Sequence, residues 1–136
     1  MTENIFKLFK SYRVDYDDIR RAEQRMGICF PNDLKFLYSN MGYGFVINEE
    51  GAINRLIDPE TCADIRLRED IYEFDPDLEL YSISEENKLI FFEVNEGVYL
   101  SIGLDDERIY YLNDMIANSL EEFIVSISNN PDYWCE

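Results

Sequence analysis

The chain contains no histidine. The side chain that most often moves protons near neutral pH, and most often binds metals, is therefore missing. Basic residues are scarce as well. Twelve lysines and arginines stand against 29 aspartates and glutamates, a formal net charge of −17. A surface of that sign repels phosphate, which excludes direct nucleic-acid binding and adhesion to an anionic membrane. Cysteine is limited to Cys29, Cys62 and Cys135. These are odd in number, far apart and without Cys-X-X-Cys spacing, so neither a zinc site nor a disulfide framework is indicated. No run of 18 apolar residues exists to span a membrane. The first residues include Glu3, Lys7 and Lys10 and no long apolar stretch, so no secretory signal is expected. Free thiols fit a reducing cytoplasm, which is the expected location. Glycine-rich phosphate loops, nucleophile elbows and metal motifs are also missing. Among 29 acids close carboxylate pairs arise by chance, and nothing selects one pair for acid–base work. No catalytic residue, metal ligand or cofactor is assigned, and the chain is read as a non-enzyme.

What is present is acid and apolar surface, unevenly distributed. Residues 1–48 carry seven basic and six acidic side chains, a net of +1, and residues 49–136 carry five and 23, a net of −18. Hydrophobic residues make up 46% and aromatics 15%, enough to build a core in a chain of 136 residues without staples. The whole chain, 1–136, is expected to form one domain.

Local signals divide it into elements. Ile5, Phe6, Leu8 and Phe9 suggest a short first helix, with Thr2 as its cap. Asp17 is read as the cap of a second helix whose Ile19, Ala22 and Met26 share a face, and Gly27 ends it. Cys29, between Ile28 and Phe30, is placed in the core. Pro31 opens a third helix with Leu34, Leu37, Tyr38 and Met41 inward, and Gly42-Tyr43-Gly44 closes it. Phe45–Ile47 and Ala52–Leu56 read as a hairpin about Asn48–Gly51. Asp58-Pro59-Glu60 starts a helix that carries Cys62 and runs to about Arg68. Strands are expected at Leu80–Ile83, Leu89–Val94, Val98–Ile102 and Arg108–Leu112, joined by short turns and so antiparallel. Ser119 and Glu122 form a capping box for a last helix with Leu120, Phe123, Ile124 and Ile127 inward and Pro131 beyond its end. Cys135 is expected at the surface. The expectation is an α+β fold: a mostly antiparallel meander with N- and C-terminal helices packed on it.

Three segments carry a resemblance: Ala22–Ile28, Phe30–Gly44 and Ala117–Phe123. Their order and spacing, over roughly residues 17–127, resemble the SUKH superfamily, which includes fungal cell-wall regulators of the Smi/Knr type and many bacterial toxin-immunity proteins. The chain departs from that pattern at Gly42-Tyr43-Gly44, where the family often has a fuller glycine run. The resemblance implies a binding protein. One implied function is an immunity protein that neutralises a cognate toxin, basic in charge and in many cases a nuclease. The alternative is a regulatory or scaffold module like the fungal members. Either would act as a monomer or weak homodimer.

The densest acid is Glu69, Asp70, Glu73, Asp75, Asp77 and Glu79, six acids in eleven residues with no basic residue among them. Ile71, Tyr72, Phe74 and Leu78 are interleaved. One reading is a solvated loop anchored by its aromatics; the other is a contact segment for a basic partner. The ligand spacing of a calcium loop is not met. Glu49, Glu50 and Glu93 add acid nearby in the pattern. Tyr43, Tyr99 and Tyr110 are candidate exposed anchors, because tyrosine offers large contact area at low entropic cost. The alternative for each is packing beneath helices.

Overall fold

The computed structural model describes residues 3–48, 50–81, 86–95 and 97–135, and of Glu3 the backbone alone. Seven strands lie side by side in chain order, each antiparallel to the next. They are β1 (Phe9–Tyr12), β2 (Tyr43–Val46), β3 (Asn54–Leu56), β4 (Lys88–Val94), β5 (Val98–Gly103), β6 (Ile109–Tyr111) and β7 (Asp114–Ala117). The helices are α1 (Tyr16–Met26), α2 (Asn32–Asn40), α3 (Pro59–Leu67) and α4 (Leu120–Asn129). The expected α+β class with an antiparallel meander is what the chain adopts, and the meander extends to the first strand.

The helix ends follow local chemistry. Asp58 accepts from the Thr61 N–H at 3.1 Å, and Ser119 accepts from the Glu122 N–H at 3.1 Å, as their sequence positions require. At α1 the expected cap shifts. The capping residue is Asp15, whose N–H donates to Asp18 at 3.1 Å, and Asp17 lies inside the first turn. α2 starts one residue after Pro31, which has no side-chain acceptor to offer. The carboxylate of Glu107 comes from the β5–β6 turn to accept from the Asp33 N–H at 2.9 Å. A distant anion thus satisfies a free donor at the positive end of the helix.

Three other expectations change. Residues 3–8 form a 3-10 helix, and Phe9 belongs to β1. Leu80 and Tyr81, read as a strand start, close a 3-10 helix over Pro76–Tyr81; Ser82 and Ile83 lie outside the described residues, as does Thr2. Cys29 is exposed, because in the tight passage from Gly27 to Pro31 it is Phe30 that turns inward. Cys62 lies on α3 and Cys135 is exposed, as expected, and Cys62 is buried.

Gly42 and Gly44 set how β1 meets β2. Both have positive φ, +112° and +147°. A Cβ on Gly42 would stand 1.9 Å from the Tyr12 carbonyl oxygen, and one on Gly44 2.1 Å from that of Lys10. The two glycines therefore admit close backbone approach rather than loosening Tyr43.

The core lies between helices and sheet. α4 sets Phe123 edge-on to Phe92, with ring centroids 4.9 Å apart, and to Phe91 at 5.8 Å. Leu34 and Leu37 of α2 are fully buried. The Tyr38 hydroxyl donates to the Ile57 carbonyl and lies 3.4 Å from the Cys62 sulfur. Register places Leu56, Phe92 and Leu100 in one row on this face. The next row, Phe45, Arg55, Glu93 and Tyr99, points to the opposite face.

Candidate partner-binding surface

That opposite face is covered by the acidic segment. α3 ends at Arg68, which takes a left-handed conformation (φ 53°) and sends its guanidinium to the Leu78 carbonyl at 3.1 Å. The chain between forms two 3-10 helices, Asp70–Tyr72 and Pro76–Tyr81. Three residues per turn put every third side chain on one line. Tyr72, Leu78 and Tyr81 are buried and Asp75 is half-buried, an inward line at 72, 75, 78 and 81.

The inward line is held by polar contacts. The Arg55 guanidinium donates to Glu93 at 2.6 Å, and its charge acts on the Tyr72 hydroxyl. Burial works against the Arg55 charge, but the Glu93 carboxylate outweighs it and holds the guanidinium above its ordinary value. The Tyr99 N–H donates to the Tyr81 hydroxyl at 3.0 Å, and the two rings meet edge-on at 5.7 Å. The Asp75 carboxylate accepts from the Asp77 N–H at 2.9 Å, which fixes the start of the second 3-10 helix.

The outward side is different. Ile71, Phe74 and Leu80 are 76%, 87% and 73% exposed. Asp70, Glu73, Asp77 and Glu79 are exposed around them. Glu69 alone of the run is ion-paired, to Arg25 at 2.9 Å; Arg25 also holds Asp64 at 2.7 Å. Among the described residues, the other five acids of the run have no cationic partner. One of the two readings of the sequence anchored this loop by its aromatics, Tyr72 and Phe74 together. A period-three count from Tyr72 would have separated them, because Phe74 falls off the inward line.

The remaining candidates are dispersed. Tyr99, a candidate exposed anchor, is 4% exposed, because the second 3-10 helix lies over it, and burial pushes its hydroxyl well above the usual tyrosine range. Glu93 is drawn inward by Arg55, with 14% of its side chain accessible. It also accepts from the Gly97 N–H at 3.1 Å. Both residues support the segment from below instead of facing a partner. Tyr110 is half-buried beside Ser101, further along β5 from Tyr99. Its hydroxyl donates to Asp106, and the Lys88 ammonium lies 4.8 Å from its ring centre. That bond raises the Tyr110 pKa. Burial works to raise the Asp106 carboxyl, but the bonds from Tyr110 and the Arg108 N–H prevail and hold it below its usual value. Tyr43 is half-buried, its ring 5.5 Å from that of Tyr12. Glu50 is exposed at the hairpin beside Ile47 and Pro131, and Glu49 lies outside the described residues. Among the described residues no cluster of acids and cysteines could hold a metal, and no helix is long and apolar enough to cross a membrane.

Comparison with known proteins gives two findings. The family model SUKH_6, described as SMI1-KNR4 cell-wall, matches residues 16–124. A protein of Bacillus subtilis (strain 168) named "Immunity protein YxxD" is 38% identical over 142 residues, covering 100% of this chain and 97% of that protein.

Proposed function

This chain belongs to the SMI1-KNR4 family of SUKH domains, and from that membership we propose that it is an immunity protein. It binds a cognate toxin domain and blocks it by occupying its working surface, without catalysis, in the cytoplasm. The toxin is basic, as a nuclease that grips phosphate must be. The carboxylates of this chain stand where the phosphates would.

The observation that carries the reading is the acidic segment itself. It is fastened to the sheet by Tyr72, Leu78 and Tyr81, and four of its unpaired carboxylates, Asp70, Glu73, Asp77 and Glu79, face outward, with Asp75 half-buried behind them. Acids so close together repel one another, and a cationic surface relieves that repulsion. A segment serving only to connect α3 to β4 has no use for five uncompensated charges. Asp70, Glu73, Asp75, Asp77 and Glu79 form the centre of the proposed contact, with Glu69 at its edge. Glu49, Glu50, Tyr43 and Tyr110 are outlying contacts in the same proposal.

The test changes Asp75→Asn, Asp77→Asn and Glu79→Gln together. Size is kept, and an asparagine at 75 can still accept from the residue-77 N–H. The readout is survival of cells that co-express this chain with candidate toxin domains taken from genes neighbouring its own. Protection should be lost, with affinity down by several kcal/mol as the partner's cations lose their counter-charges. The melting temperature should stay or rise slightly. A folded triple variant that protects as well as the parent sinks this assignment.

A further inference from the structure

Charge alone does not account for what the segment displays. Phe74 is the most exposed of the large apolar side chains among the described residues, followed by Ile71; Leu80 comes next, level with Tyr16. Three of the four thus fall within ten residues of one another. They do not belong to a loosely packed loop. Positions 71, 74, 77 and 80 repeat every third residue, one step out of phase with the inward line 72, 75, 78 and 81. The same period that fastens the segment to the sheet turns Ile71, Phe74 and Leu80 outward, with Asp77 between Phe74 and Leu80. Single exposed apolar residues need no explanation, but a fixed row of them does.

We infer that Ile71, Phe74 and Leu80 form an apolar ridge that anchors a protein partner, seating in an apolar pocket whose rim is basic. This rests on the function proposed above and divides its work. The ridge adds apolar affinity and slows dissociation; the acids around it add encounter rate and orientation to their share of the affinity. The commitment to this occupant comes from charge. A second copy of the chain would set its own unpaired acids against these. An anionic membrane would meet the same repulsion. A cationic rim around a pocket gains from both parts at once, and the fastened 3-10 turns leave little ordering cost on binding. Central aromatic anchors ringed by polar contacts are where binding energy concentrates, and they act chiefly on dissociation, whereas rim charges act on association.

The test measures association and dissociation separately. The probes are the candidate toxin domains from genes neighbouring this chain's own, each carrying a disabled active site. The chain is used in full, as the parent, as Phe74→Ala and as Glu73→Gln with Glu79→Gln. Phe74→Ala should weaken binding about 30-fold or more, equivalent to about 2 kcal/mol. The loss should lie in faster dissociation, with association changed less than about threefold and melting unchanged, since the ring is in water. The charge variant should show the reverse division. If the parent forms a complex that Phe74→Ala leaves within about threefold, the ridge is not the anchor and this inference falls alone. If the parent forms no complex, the proposed function falls and takes the ridge with it. If sedimentation shows the parent self-associating and Phe74→Ala dispersing it, the ridge serves a second copy and the inference is overturned.

Discussion

On one face of the β4–β5 hairpin, α4 turns Leu120, Phe123, Ile124 and Ile127 inward and hides all four. On the other face, the segment 69–81 turns in Tyr72, Leu78 and Tyr81 and leaves three comparable apolar side chains in water. The two coverings differ in period. At 3.6 residues per turn a helix can give a wide apolar stripe to the core. At three residues per turn only one line in three is inward, and the other two must be solvated or used. They differ in chemistry too. Phe123 meets the rings of Phe91, Phe92 and Tyr133, whereas Tyr72, Tyr81 and Tyr99 come with hydroxyls that must be satisfied, and Arg55 and Glu93 lie among them. One face of the sheet is covered for stability. On the proposed function, the other is covered only as far as is needed to hold a display in place.

The sharpest break in this comparison is truncation on the helical side. Phe123→Ala or Leu34→Ala removes a fully buried side chain and leaves a cavity, costing about 2–5 kcal/mol of folding stability. Denaturant titration reads it. Toxin binding measured well below the new midpoint should be unchanged. A loss below about 0.5 kcal/mol at both positions would mean that the helical side does not hold the fold. Affinity lost in a still-folded variant would mean that the two faces are not separate in function.

Alkaline pH probes the helix-packed core through a buried thiol, a group that the segment lacks. Burial pushes the Cys62 thiol from 9.0 up to about 12, ahead of an opposing bond from Tyr38. The unfolded chain ionises first. The contribution is therefore fully present below about pH 9 and is lost as pH rises toward about 12. Tyr38, raised mainly by burial, titrates in the same direction. Between pH 8 and pH 10.5, the parent should lose about 2 kcal/mol more stability than Cys62→Ala. Equal losses in parent and variant would mean that this thiol titrates like one in water.

Much of this division could be read from the sequence, because part of it is local. Asp58 and Ser119 mark helix starts through side chains within three residues of the donors they satisfy. The apolar runs at β4 and β5 are long and buried on both faces, so they stand out in the sequence. β1 and β7 escaped notice because they are edge strands, each with only one residue buried, Phe9 in one and Ala117 in the other. Edge strands get half the neighbours and half the pattern. Asp15, Asp17 and Asp18 compete for one cap, and composition cannot choose among them. At the surface, the run of acid was plain from charge alone. The sorting of its apolar residues was not. It depends on a three-residue period that neither helix nor strand templates contain, and on Arg55, Glu93 and Tyr99, which arrive from distant strands. Tyr99 stayed open to either reading because nothing in β5 announces that Tyr81, 18 residues earlier, lies over it.

The smallest expected effect isolates the display side by salt. If the unpaired acids steer a basic toxin, association should be fast when the screening length is long, about 30 Å at 0.01 M salt. It should slow about tenfold by 1 M, where that length is about 3 Å. Tenfold corresponds to about 1.4 kcal/mol. Dissociation should change less, because contacts within the closed interface are screened less than the approach to it. The helical side offers a control within the same molecule. Leu34→Ala, kept folded, should show the parent's salt slope, since it alters no surface charge. The Asp75, Asp77 and Glu79 triple variant should show a shallower one. A parent rate that stays flat from low to high salt would remove steering from the function of the acids. The apolar ridge would then be the only part of the segment left to explain binding.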